Sequence, residues 1–310
     1  MDAAGRPPAG RLGNDIMQSK SDLGRRALVL VPYGWLAVFF LMPFLLVLAI
    51  SLSSVRLGMP PYEPLYAWQG SLLSIRLNLE NFIFVVGENT YLLAYLTSLK
   101  VAAISTALML AIAYPLAYGI ASCAPQTRSF LIFLVIVPFW SSMLIRVYAW
   151  MSILRNDGLF NSLLLNLGII SEPLRIMNTE TAIYIGIVYT YLPFMVLPIY
   201  ANLSASDRTL IEAARDLGCS RLAAFWRVTF PLSLRGVAAG SALVFIPVIG
   251  EFVVPDLLGG ADTQMIGRTI WMEFFNNRDW PVASAVTVLL LAILVIPIVL
   301  FQTRLSRTSK

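Results

Sequence analysis

Two stretches of this chain carry no charged residue, Ala27 to Ser51 and Val282 to Gln302. At about 1.5 Å per helical residue, each is long enough to cross a hydrocarbon layer of about 30 Å. Inside lipid the backbone must satisfy its own hydrogen bonds, so such stretches read as membrane helices. Arg25 and Arg26 precede the first run, as basic residues precede a secretory signal. The apolar core of a signal is only about 7 to 15 residues, and this longer run reads as a retained helix. The rest of the chain shares the bias: apolar types make up 58% and charged types 13% of 310 residues, where a soluble domain carries about 25% charge.

The apolar blocks predict an all-α membrane protein with six spans, at about 27 to 51, 97 to 121, 130 to 154, 181 to 201, 232 to 254 and 282 to 302. Residues 1–26, rich in Gly, Pro and charge, read as a tail, 27–303 as one transmembrane domain, and 304–310 as a second tail; no soluble domain is expected. Pro43, Pro115, Pro138, Pro193, Pro198, Pro247 and Pro297 fall inside spans, where neighbouring helices can satisfy the freed carbonyls. Between Leu52 and Leu96 the chain reads as an irregular loop followed by an interfacial helix from Leu77 to Tyr95. With both termini inside, the inner segments hold fourteen Lys and Arg and the outer ones seven, which predicts cytoplasmic termini. Net charge +5 then faces anionic lipid, with no call for nucleic acid. Cys123 and Cys219 lie near the cytoplasmic face and are expected to remain free thiols.

The loop between the fourth and fifth spans, residues 202–231, is more than a linker. Asp207 can cap a short helix that ends at Gly218. Along it Leu210, Ile211, Ala214 and Leu217 fall on one side, and Arg208, Glu212, Arg215 and Asp216 on the other. Ser220 can cap a second segment in which Phe225 and Trp226 act as apolar anchors before Pro231 opens the fifth span. Small Ala213 and Ala214 allow close approach of another surface, so the helix suits a groove on a partner. Position and composition fit a helix lying on lipid as well.

The spacing adds more. Glu212, Ala213, Ala214, then Gly218, then Val228, Thr229, Phe230 and Pro231 resembles the EAA loop of permease subunits of bacterial ATP-binding-cassette importers. Val228 and Phe230 depart conservatively from the Ile and Leu of that motif. Pro138 to Trp140 with Leu144 to Trp150, and Gly250 to Gly260 with Met265 to Gly267 and Asn276 to Ala285, are similar to the branch that imports polyamines. The resemblance runs from about Leu79 to Phe301. It implies the type I importer permease fold, and a coupling helix in which Glu212, Ala213, Ala214, Arg215, Asp216, Gly218 and Pro231 serve an ATPase. It also implies an ATPase dimer below, a second and paralogous permease beside, and a periplasmic solute-binding protein above, in a bacterial inner membrane. The implied solute is putrescine or spermidine.

Arg146 and Glu251 are the ionisable residues placed inside spans, and each costs about 2.5 to 3.5 kcal/mol at a helix centre unless it faces protein or water. They fit a structural pair, or a Glu251 held by local backbone donors. Glu251 and Asp256 also fit an outer gate for a cation, with Trp140, Arg146 and Tyr148 nearby and Trp150, Trp271 and Trp280 offering ring faces. Ten outer acids against seven bases agree weakly with a cationic solute. No lysine follows a glycine, which removes a Walker A site, and there is no histidine and no G-x-S-x-G elbow for hydrolysis. The chain therefore reads as no enzyme and as holding no cofactor or metal, with ATP and magnesium on a partner. The alternatives are a secondary transporter or channel, which would have no use for an ATPase-docking helix, and a permease for an opine, another amine or a small anion.

Overall fold

The computed structural model of the chain describes residues 28–69, 72–207, 209–260 and 263–308. The expected tail at 1–26, Arg208 and Asp262 lie outside the described residues. Helix α1 runs Leu28–Ser51. A hairpin follows, β1 Tyr66–Gln69 paired antiparallel with β2 Leu72–Ile75, Tyr66 opposite Ile75. After it come α2 Glu80–Gly87 and α3 Asn89–Ser122. The expected interfacial helix therefore stops at Gly87, and the second span begins at Asn89 rather than near 97. Glu88, extended at φ −89° and ψ 117°, separates α2 from α3, and at the start of α2 the Asn81 amide donates to the Ser51 and Ser53 carbonyls at 2.9 and 2.8 Å, tying the helix to the end of α1.

The expected third span, 130 to 154, is not one helix. Helix α4, Pro125–Trp140 with a tight last turn, bends by 89° into α5, Met143–Leu154, which leads into α6, Leu159–Asn166. Pro138 sits in that last turn, and Ser141 and Ser142 are extended. Helix α7 is Glu180–Ala205, continuous through Pro193 and Pro198, and α8 is Thr209–Asp216.

The fifth span differs at both ends from the expected 232 to 254. Helix α9 runs Arg221–Ile249 without a break, because a widened turn at Phe225–Thr229 accommodates the missing N–H and ring of Pro231. At Gly250 it stops, and a folded loop carries α10 Val253–Leu258 and α11 Ile266–Trp271, extended by a wide turn Met272–Asn276. Helix α12, Trp280–Thr308, runs through the expected tail boundary at 304. Among the described residues four helices are long and apolar enough to cross a membrane, the bent pair α4–α5 makes a fifth, and α12 is apolar over Trp280–Ile296.

The centre is a three-helix core of α3, α7 and α9. Gly236 and Gly240, one turn apart on α9, let the backbones approach. A Cβ on Gly236 would lie 2.9 Å from the Pro198 carbonyl and 3.1 Å from Ile199 Cα. Met109, Ile187, Met195, Ile199, Val244 and Val248 fill the contact and are buried. Tyr114 and Ser233 join α3 to α9 by a 2.9 Å hydrogen bond, and Tyr95 donates to the Val286 carbonyl of α12 at 2.6 Å. Helix α1 packs on α12 near its C-terminal end and exposes most of its apolar surface before Met42.

Candidate functional site

At one end of the bundle, α8 is built by local chemistry. The Asp207 carboxylate accepts the Thr209 N–H at 2.9 Å, and that bond holds its carboxyl below the usual range. At the other end Gly218, at φ +87°, closes the helix: Gly218 N–H reaches the Arg215 carbonyl at 2.9 Å and Cys219 N–H the Ala214 carbonyl at 3.0 Å. Ser220 caps the following turn by accepting the Ala223 N–H at 3.2 Å. Cys219 and Cys123 are free thiols.

The expected two-sided pattern of α8 holds only in part. Ile211 and Ala214 are half-buried, but Leu217 is 87% exposed and Leu210 is exposed as well. The helix therefore rests on the bundle by a narrow strip. Glu212, Ala213, Arg215 and Asp216 share the outward surface with those leucines, and Leu222 and Trp226 are exposed beside it. Phe225 is the anchor that packs, edge to face on Tyr114 and Tyr118. Pro231, in the first turns of α9, is exposed as well and lines a shallow cavity with Asp207, Leu210 and Arg235. Beneath α8 a cavity of about 540 Å³ is lined in part by Tyr118, Arg128, Ser206, Asp207, Glu212 and Arg215. The result is a short mixed polar and apolar ridge standing off the bundle.

The opposite end holds the second group of residues. Glu251 is 7% exposed. Its carboxylate accepts the hydroxyl of Tyr191 on α7 and the N–H groups of Val253 and Val254 at 2.9 and 3.3 Å, so it caps α10. The reading in which local backbone donors hold Glu251 is the observed one, and the carboxylate offered freely to a cation is not. Nor does Glu251 meet Arg146. The Arg146 guanidinium lies 5.3 Å from the Phe139 ring centre, and its Nε and Nη1 are buried without a hydrogen-bond partner. A run of ring contacts, Phe139 to Phe194 at 5.0 Å and Phe194 to Tyr191 at 6.1 Å, separates the two charges.

Asp256 is also occupied, paired at 3.0 Å with Arg268 of α11. Trp140, 76% exposed, and Tyr148, also exposed, stand on the α4–α5 bend and contact neither carboxylate. The rings that do gather here are Phe252, stacked on Trp271 at 4.8 Å, and Phe275, 4.0 Å from Trp271. Phe274 stacks on Trp280 at 4.7 Å, and Tyr91 donates to Glu273 at 2.9 Å. Tyr191, Arg268 and Phe252 had not stood out in the sequence. Their roles come from partners 12 to 60 residues away, and no local spacing signals them.

Residues 126–309 match the family described as binding-protein-dependent transport system inner membrane component. The chain is 40% identical over 260 residues to the spermidine/putrescine transport system permease protein PotB of Haemophilus influenzae, covering 84% of this chain and 86% of that protein. It is 39% identical over 257 residues to PotB of Escherichia coli, covering 83% and 89%. Among solved structures, a bacterial transporter that imports the acidic polysaccharide alginate superposes with a TM-score of 0.69 over 96% of this chain and 99% of that one. At 18% identity, that likeness speaks for the fold alone.

Proposed function

Because this chain belongs to the family of binding-protein-dependent transport system inner membrane components, we propose that it is the permease subunit of an ATP-driven polyamine importer, forming half of the pore. The observation that carries the reading is the 38 to 40% identity to spermidine/putrescine permeases over more than four fifths of the chain. The α8 ridge is its physical counterpart. A soluble ATPase must grip the membrane subunit somewhere, and α8 offers exposed Leu210 and Leu217 among Glu212, Arg215 and Asp216. That mixture suits a partner's groove, where apolar anchors give affinity and charge gives register.

In this reading the α8 end and both termini are cytoplasmic, and the α10–α11 end faces the binding protein. ATP and its magnesium are held by the ATPase, and a second, paralogous permease completes the pore. The folded loop from Glu251 to Asn276 closes the outer end. Glu251 and Asp256 act within it by fixing α10 against Tyr191 and Arg268, and Phe252, Trp271 and Phe275 present ring faces that a polyammonium can cross by cation–π attraction. Weak, repeated contacts of that kind suit passage better than one deep well. Trp140, Arg146 and Tyr148 belong to the bend of the third span and shape the wall beside it.

The test is reconstitution of the chain with its partner permease, ATPase and binding protein, followed by uptake of labelled putrescine and spermidine. ATP-dependent import of at least one is expected, abolished by Glu212→Lys with the protein still inserted. Import of neither, with ATP-driven import of another solute, would remove the polyamine assignment. Import driven by an ion gradient without the ATPase would remove the whole reading.

A further inference from the structure

On the face opposite α8, a polar cavity of about 490 Å³ opens between the end of α5 and the start of α7, lined by Arg155, Asn156, Asp157, Arg175, Asn178 and Thr179, among others. Nothing in the coupling ridge or the α10–α11 loop accounts for it. One side chain ties the backbone at Arg155 to that at Leu174, the residue before Arg175. Asn161 on α6, 1% exposed, donates its amide to the Arg155 and Leu174 carbonyls at 3.3 and 3.0 Å and accepts the Leu174 N–H at 2.9 Å. The turn before α6 is tight enough that a Cβ on Gly158 would lie 2.5 Å from the Ile153 carbonyl. The cavity is thus a formed feature of the fold. Arg155 pairs with Asp157 at 3.1 Å, whereas Arg175, exposed, makes no hydrogen bond or ion pair among the described residues.

We propose that this cavity is a docking socket for the solute-binding protein, with Arg175 receiving a carboxylate of that protein and Arg155 alongside. The inference rests on the importer reading, which requires a protein partner on this face. The lining favours a protein over a lipid phosphate: it sets donors on Arg175, Asn156, Asn178 and Thr179 beside an acceptor on Asp157, and a phosphate diester offers acceptors alone. A protein surface can meet both. A planar guanidinium also matches a carboxylate by two parallel hydrogen bonds.

The socket is joined to the outer gate. The Asn178 N–H donates to the Leu258 carbonyl of α10 at 3.1 Å, and a Cβ on Gly260 would lie 2.5 Å from the Asn178 carbonyl oxygen, so the two segments touch backbone to backbone. Helix α10 is the element whose first turn Glu251 holds. A protein seated on Arg175 therefore pushes on the break between α9 and α10.

The experiment uses the full complex in nanodiscs of zwitterionic lipid and reads ATP hydrolysis against binding-protein concentration. For Arg175→Glu, the concentration of binding protein giving half-maximal stimulation should rise at least tenfold, with basal hydrolysis unchanged. Arg175→Lys should recover most of the loss, and stimulation of the wild type should weaken with salt while that of Arg175→Glu does not. A value for Arg175→Glu within twofold of wild type overturns the socket. A defect that appears only in discs containing anionic lipid also overturns it, assigning Arg175 to a phosphate headgroup. If the wild-type complex responds to no polyamine-loaded binding protein, the importer reading itself falls, and the socket with it.

Discussion

Gly218→Val should disable coupling where Gly218→Asn does not. Gly218 sits at φ +87°, and a Cβ placed on it meets nothing within 4 Å. Steric collision with the rest of the chain is thus absent, and the whole cost is the backbone conformation. An L residue in the left-handed region loses about 1 to 2 kcal/mol, with β-branched residues at the upper end and asparagine tolerating the region. The conformation is needed because the Gly218 and Cys219 N–H groups turn back onto the Arg215 and Ala214 carbonyls, and an exposed eight-residue helix has little else to hold its end. About 1 to 2 kcal/mol lowers the ratio of correctly ended to frayed helix by about 5- to 30-fold, an upper bound on the loss of the competent form. Reconstituted uptake and binding-protein-stimulated ATP hydrolysis should fall in Gly218→Val by at least about threefold and by no more than that factor. Gly218→Asn should stay within about twofold of wild type, and membrane insertion should be equal in both. Equal activity of the two variants would refute the backbone argument, and wild-type activity in both would remove α8 from coupling.

Tyr191→Phe strips a hydroxyl from the buried Glu251 carboxylate, a loss of about 1.5 to 3 kcal/mol. It should lower thermal stability in detergent and slow transport of every polyamine alike, so a change confined to the KM of one substrate would instead make Glu251 a ligand. Gly236→Ala drives a methyl group against the Pro198 carbonyl and Ile199 Cα, and should destabilise the α7–α9 crossing by about 1 to 3 kcal/mol. An unchanged melting temperature would show that the helices can part at no cost. Burial raises the Asp279 carboxyl above its usual range while its oxygen caps α12 through the Val282 N–H at 3.0 Å. The folded chain therefore takes up this proton before the unfolded chain does, so the group's contribution to stability is present below the unfolded pKa and fades as pH rises through the folded one. Asp279→Asn should remove that part of the pH dependence, as a melting-temperature series across the acid range will show, and an identical series would refute it.

Much of the architecture was legible because membrane helices and helix ends obey short-range rules. Charge-free length located the spans, and Asp207, Gly218 and Ser220 each act within three residues of their own positions. The two ends of α8 could therefore be read from the sequence, though not which of its side chains are covered. Hydropathy could not show that the third span bends by 89° after Trp140, or that the fifth begins at Arg221. Apolar residues flank the bend on both sides, and Arg221 and Arg227 mask the early start of the fifth helix, so backbone geometry alone sets both features. The exposure of Leu217 was equally hidden, since periodicity gives a residue's side of the helix but not how far the helix stands off its neighbours.

The sequence by itself determined the class of molecule, the approximate places of its spans and the capped ends of α8, all consequences of chain-local hydrogen bonding and of the length of apolar runs. Only the tertiary structure decided what the charges do. Glu251 caps α10 under Tyr191, Asp256 belongs to Arg268, Arg146 stands apart from both, and Asn161 ties the backbone at Arg155 to that at Leu174 beside the outer cavity. A buried charge or amide takes the partner that packing brings within about 3 Å, and packing joins residues that the chain keeps far apart.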